Sequence, residues 1–294
     1  MPVSFIPFVF PGVDNVRCAF QTRWQAAGDG PYAGGNISLA PADDRQRVIG
    51  NRRELRAALG LRRMAELNQV HGDAMIFEPE AVEPDAVPRC DADGMATAQA
   101  GLGLVIKTAD CQPILLAHRS GRFVAGIHAG WRGNRCDFPG SGVRRFCEHY
   151  GVEPRELLAV RGPSLGPARA EFINFESEWG DAFRPWFNAG SRTMDLWGLA
   201  AGAGRAAAPQ HLRHRPVHGQ LQPPVLLVPL REGLRPSGQR HLAPGLGQAG
   251  RHVRDEGGRG KPWLAHTGSS SPSSSPIPFP MRFSRKDGAC LGYG

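Results

Sequence analysis

Residues Gly103–Gly133 read GLVIKTADCQPILLAHRSGRFVAGIHAGWRG. Three β-rich runs, Leu104–Lys107, Ile114–Ala117 and Phe123–His128, are separated by Pro113 and by the polar turn His118–Arg122, the pattern of strands joined by tight connections. The reactive residues stand where the runs end. Asp110 and Cys111 follow the first run, and His128 closes the last, ahead of Ala129-Gly130-Trp131-Arg132-Gly133. A thiolate and an imidazole brought together at strand ends are two good ligands for zinc or copper. A third candidate is His71, within Asn68-Gln69-Val70-His71-Gly72. On spacing alone each of the three reads as readily as a packed residue: Cys111 as a small buried hydrophobe, His128 as a hydrogen-bonded histidine at a strand end.

Toward the N-terminus, Thr22-Arg23 and Gly30–Leu39 form a turn-rich loop entering a strand. Asp43-Asp44 cap a helix running through Val48, Asn51, Arg52, Leu55 and Leu59 and stopping near Gly60. Leu67–Phe77 reads as a strand pair around His71. In Asp91-Ala92-Asp93-Gly94 two close carboxylates offer an acid/base pair, but such a run is read here as a turn whose side chains bond backbone amides. Toward the C-terminus, Ser141–Tyr150 spaces Val143, Phe146, Cys147 and Tyr150 along one side of a helix ended by Gly151. Pro154 then opens a helical turn, and Leu157–Val160 is a strand leading into the loop Arg161–Gly166.

Taken together, Gln-Val-His (69–71), Thr-Ala-Asp-Cys-x-Pro (108–113) and His-Ala-Gly-Trp-Arg-Gly (128–133) resemble the YfiH-type laccase-domain family, also called multicopper polyphenol oxidoreductase-like. Thr22-Arg23, Gly30-Pro31-Tyr32, Asn36-x-Ser38-Leu39, the Asp91–Gly94 loop and Gly162–Gly166 extend the resemblance, which ends near Trp197. One departure is Ala170-Glu171-Phe172, where the family has Tyr-Glu-Val. The resemblance implies a single α/β domain of layered α+β type, with mixed sheets flanked by helices and a site at strand ends.

It also implies a purine nucleoside phosphorylase holding Zn2+ on His71, Cys111 and His128, with adenosine deamination at the same site. Three protein ligands leave one position open, the catalytic arrangement of zinc. Cys111 and Asp110 are the catalytic candidates. Arg132, whose guanidinium matches phosphate, joins Asn36 and Arg23 as candidate substrate contacts. Zn2+ is favoured over Cu2+, because an oxidase cycling electrons through several coppers needs more histidines than this set supplies. The expected partners are a small nucleoside and phosphate, without nucleic acid or membrane, for a monomer or small homo-oligomer. Other readings are a peptidoglycan-precursor editing hydrolase, a copper-dependent phenol oxidase, or an inactive chain.

The net charge of +8 would ordinarily suggest nucleic acid, but it is unevenly spread. Residues 1–196 carry 22 Lys/Arg against 23 Asp/Glu, and residues 197–294 carry 13 against 4. The basicity therefore belongs to the tail. With Pro2, Pro7 and Pro11 interrupting the first apolar run, no export signal is read, and the six cysteines are expected to be mostly free in a cytoplasmic protein.

The expected division is a domain over 1–197, incomplete at its C-terminal end, and a basic, largely irregular tail over 198–294 rich in Gly, Pro and Arg. The family normally carries Leu-Cys-Thr and then Phe-Phe-Ser-Tyr-Arg in this region. Codons for Pro216–Gly219 and Val225–Pro229, read one base later, can encode those two motifs in that order. A frameshift between about Gly198 and Gln210 is therefore the expectation. It makes decoys of the GxGxxG match at Gly245–Gly250 and of the cluster His211, His214 and His218.

Overall fold

The computed structural model describes residues 4–22, 32, 35–39, 43–207 and 225–229, with only the backbone for 203–207 and 225–229. The chain divides into Met1–Leu234 and Arg235–Gly294. The second unit, Arg23, the GxGxxG match and the three tail histidines lie outside the described residues.

In chain order the elements are β1 (Ser4–Phe8), β2 (Val16–Thr22), α1 (Arg45–Ala58), β3 (Arg63–Glu66), β4 (Met75–Phe77), β5 (Gly94–Thr97) and β6 (Leu102–Ile106). Then come β7 (Gln112–His118), β8 (Val124–Ala129), α2 (Trp131–Arg135), α3 (Phe138–Tyr150), β9 (Leu157–Arg161) and α4 (Phe175–Glu178). The last are β10 (Phe187–Asn188), β11 (Thr193–Met194), α5 (Leu196–Ala207) and β12 (Val225–Pro229). They build two five-stranded mixed sheets, ordered β1-β2-β12-β6-β3 and β4-β5-β8-β7-β9, and a small β10-β11 hairpin. The expected α/β layering with mixed sheets is present.

The sequence alternation explains the layers. On β6, Leu104 and Ile106 face the core between the sheets, and Val105 faces α1 with Leu55, Leu61 and Met64. On β7, Leu115 and Ala117 face inward, while Ile114 and Leu116 pack against Phe138, Val143 and Phe146 of α3. Strands covered on both faces read as continuous apolar runs, as β6 and β7 do. A Cβ on Gly126 would lie 2.8 Å from Ile106 Cγ1, so glycine lets β8 approach β6 across the core. α1 starts where Asp44 accepts from the Arg47 amide at 3.0 Å, a cap that contributes about 0.5–2 kcal/mol. α3 stops at Gly151, which adopts the left-handed conformation.

One expectation is corrected. Leu67–Phe77 is not a strand pair: β3 ends at Glu66 in the first sheet, and β4 begins at Met75 in the second. Residues 67–74 cross between the sheets, because β3 pairs in parallel with the distant β6 rather than with its neighbour in sequence. Regular structure also continues past Trp197, since α5 runs to Ala207 and β12 lies between β2 and β6, antiparallel to both.

Candidate metal centre

The parallel strands β3 and β6 end together and deliver the His71 and Cys111 turns to one place. Glu66 at the end of β3 is buried and pairs with Arg52 of α1 at 2.6 Å and with Lys107 just beyond β6. The Gln69 carboxamide adds reciprocal bonds to the backbone of Lys107, donating to its carbonyl at 2.7 Å and accepting from its amide at 2.8 Å. His128 comes from the second sheet, on the face of β8 that carries Val124 into the core between the sheets. One ligand atom from each of His71, Cys111 and His128 lies within 4.8 Å of the others. The imidazoles meet edge to face, with centroids 4.8 Å apart.

The donor set and its packing fit a metal ion. A Cβ at Gly130 would stand 2.9 Å from His71 Cδ2, 3.3 Å from Cys111 Sγ and 3.7 Å from His128 Cε1. Glycine there keeps open the space onto which the three side chains converge. Two imidazoles and one thiolate suit a borderline-soft cation and leave a fourth position free.

Asp93 organises the trio from behind. The carboxylate is fully buried, 2.7 Å from His128 Nδ1, and accepts from the amides of Val70 at 3.3 Å, His71 at 3.0 Å and Gly72 at 2.6 Å. Burial alone would raise its pKa, but the bonds from His128, Gly72 and His71 outweigh that and hold it below the usual carboxylate range. An ionised carboxylate can only accept, so His128 Nδ1 donates and Nε2 is left as the free lone pair. The three amide bonds also hold His71 at φ 60°, a left-handed backbone uncommon outside glycine. The turn reading of Asp91–Gly94 is therefore corrected: the Asp93 carboxylate bonds the amides of residues 70–72 in another loop and His128, 35 residues away, rather than amides of its own run.

Charge around the trio is uneven. Burial lowers the His71 pKa, and the neighbouring His128 and the Arg132 cation lower it further, against the Asp93 charge. The Cys111 thiol is pushed up to about 11 by burial, then by the Asp110 and Asp93 charges. A bound divalent cation reverses this bias, because a coordinating thiol gives up its proton.

The other predicted residues divide. Asp110 is exposed beside Cys111, and its carbonyl accepts from the Leu165 amide at 2.9 Å, which ties down the Arg161–Gly166 loop. Arg132 is exposed, with its guanidinium 4.9 Å from the Trp131 ring and its charge felt at His71. Among the described residues it makes no ion pair. Asn36 does not join the trio: its carboxamide donates to Asp43 at 2.8 Å and accepts from the Ser38 amide at 2.9 Å, holding its own loop. Sequence reasoning also missed Phe172. Its ring lies 5.9 Å from Trp131 and 5.3 Å from Trp179, so an aromatic contact to Trp131 comes from two residues beyond Ala170.

Two layered mixed sheets with a His-Cys-His group at their strand ends that could hold a metal ion define an α/β protein with a candidate metal centre. Residues 17–207 match the sequence profile described as multi-copper polyphenol oxidoreductase laccase, and the chain belongs to that family. A purine nucleoside phosphorylase of Pseudomonas aeruginosa is 33% identical over 199 residues, covering 65% of this chain and 78% of that one. A purine nucleoside phosphorylase of Deinococcus radiodurans is 36% identical over 149 residues, covering 50% and 56%. Among solved structures, YlmD from Geobacillus stearothermophilus aligns with a TM-score of 0.61 at 23% identity, over 78% of this chain and 96% of that chain. YfiH from Bacillus licheniformis aligns with a TM-score of 0.62 at 20% identity, over 77% and 99%. No helix among the described residues is long and apolar enough to cross a membrane.

Proposed function

We propose that the protein is a zinc-dependent purine nucleoside phosphorylase acting on adenosine, inosine and related nucleosides, with adenosine deamination as a second reaction of the same centre. The observation that carries the reading is a three-ligand His71/Cys111/His128 group with Arg132 beside it. The names of the relatives support the substrate class.

In phosphorolysis a phosphate oxygen bonds to the anomeric carbon as the bond from that carbon to the purine nitrogen breaks, giving ribose 1-phosphate and the free base. The chain must then hold phosphate, place the sugar and supply a proton to the departing base. Arg132 binds phosphate, since a guanidinium with no ion-pair partner among the described residues matches two of its oxygens. Its guanidinium lies 4.9 Å from the Trp131 ring, within cation–π range. Asp110 is the exposed acid/base group beside Cys111. Bound zinc supplies Lewis acidity, which lowers the pKa of a bound water or stabilises an oxyanion.

One group of three potential ligands is found among the described residues, which favours a single zinc over an oxidase using several coppers. The reading makes the nucleoside and phosphate the ligands of a cytoplasmic enzyme. Its test is release of purine from inosine by the zinc-loaded protein. Release that needs phosphate supports the reading, and release that ignores phosphate overturns it.

A further inference from the structure

We propose that Gln69 is a positioning residue that sets the span between the His71 and Cys111 turns, and with it the fit of the centre to its metal. The inference rests on the reading of the trio as a metal site.

The last rung of the β3–β6 ladder pairs Glu66 with Val105. Beyond it β3 ends and β6 runs one residue further, to Ile106, so no backbone rung between the two chains fixes their separation there. Gln69 replaces the missing rung with its side chain. Its Nε2 donates to the Lys107 carbonyl at 2.7 Å, and its Oε1 accepts from the Lys107 amide at 2.8 Å. A carboxamide bonded through both ends to the amide and carbonyl of one residue fixes distance and orientation together, because either bond alone would leave a rotation free. His71 follows Gln69 by two residues, and Cys111 follows Lys107 by four.

The rest of the 67–72 loop is tied elsewhere. Asn68 bonds the backbone of Cys90 and Ala92, and the amides of 70–72 bond Asp93. Those ties orient His71 relative to His128. Gln69 relates His71 to Cys111, the ligand carried by the other turn.

The test uses Gln69→Leu, which loses both bonds, and Gln69→Glu, which keeps the acceptor for the Lys107 amide and sets an oxygen against the Lys107 carbonyl. The full chain is titrated with cobalt(II), whose thiolate charge-transfer band reports Cys111 coordination, and with zinc in competition with a chromophoric chelator. Tyr150→Phe is the control. It removes a 2.7 Å hydrogen bond to Glu78 outside the centre.

Both Gln69 variants should lose affinity for zinc, by about 10–100-fold, as outer partners of metal ligands commonly do. The cobalt thiolate band should weaken or shift in both. Tyr150→Phe should lower the thermal midpoint and leave band and affinity unchanged. If Gln69→Leu does not fold, Gln69→Glu carries the test. Wild-type affinity and spectrum in the folded variants overturn the proposal. A wild-type chain that binds neither cobalt nor zinc overturns the metal-site reading itself, which is a different result.

Discussion

Asp93 Oδ1 lies 2.7 Å from His128 Nδ1, and the same carboxylate accepts from the backbone amide of His71 at 3.0 Å. One buried side chain thus fixes the ring of one candidate histidine ligand and the backbone of the other. In Asp93→Asn the amide hydrogens face donors on one side or the other, so at least one of these bonds is lost. Zinc affinity should fall by about 10–100-fold, measured by competition with a chelator, with the secondary structure retained. Unchanged affinity would remove Asp93 from the centre's architecture.

Gly130→Ala should abolish metal binding more completely than any change behind the ligands. The new Cβ would stand 2.9 Å from His71 Cδ2 and 3.3 Å from Cys111 Sγ, inside the space where the side chains converge. The Gly130 backbone itself is extended, at φ −69° and ψ 175°, so alanine costs no backbone strain there. Cobalt titration and a thermal melt of the metal-free protein separate the effects: the spectrum should be lost, and the melt should change little.

Arg132→Ala should raise the KM for phosphate by at least about 10-fold while zinc stays bound, since a charge-assisted bidentate contact contributes on the order of 1.5–3 kcal/mol. Arg132→Lys should recover only part of the loss, because an ammonium lacks the planar fork. Initial rates at varied phosphate, with metal content measured on the same samples, check this. An unchanged KM would place the phosphate elsewhere.

Glu78 gives the fold a pH dependence of known sign. Burial would raise its pKa, but bonds from the Tyr150 hydroxyl at 2.7 Å, the Thr97 hydroxyl at 2.8 Å and the Ala98 amide at 2.8 Å hold it below the usual carboxylate value. A carboxyl lowered in the folded state contributes stability that is fully present above the unfolded pKa of about 4.3 and is lost as pH falls through the folded value. Thermal midpoints from pH 7 down to pH 3 should fall less steeply in Glu78→Gln than in the wild type. Parallel curves would mean that Glu78 is not a source of the acid lability.

We propose that the chain beyond about Gly198 to Gln210 is read out of frame. β12, the middle strand of the first sheet, carries Val225-Leu226-Leu227-Val228-Pro229. The shifted codons can encode Phe-Phe-Ser-Tyr-Arg there, whose aromatics favour strands. Resequencing the coding DNA should reveal the slip, and the restored chain should be more soluble. An uninterrupted frame confirmed in related strains contradicts the proposal.

How far the sequence carried depends on the range of each contact. β6, β7, β8, α1 and α3 were legible because their apolar periods and caps are local, Asp44 and Gly151 among them. That His71, Cys111 and His128 come together was legible through their motifs. The role of Asp93 was not, because a turn carboxylate looks the same whether or not a histidine 35 residues away reaches it. Phe172 was missed for a similar reason: its ring meets Trp131 across 41 positions that carry no shared pattern. The supposed pairing within Leu67–Phe77 failed because proximity in sequence suggested a hairpin, whereas β3 pairs with β6.

The most direct measurement is purine release from inosine and adenosine, with and without phosphate and zinc, by the chain as it stands and by its frame-restored form. The account predicts release that requires both phosphate and zinc in the restored form, with ribose 1-phosphate formed in equal amount. Zinc held by His71, Cys111 and His128 with no phosphate-dependent release by either form would contradict it.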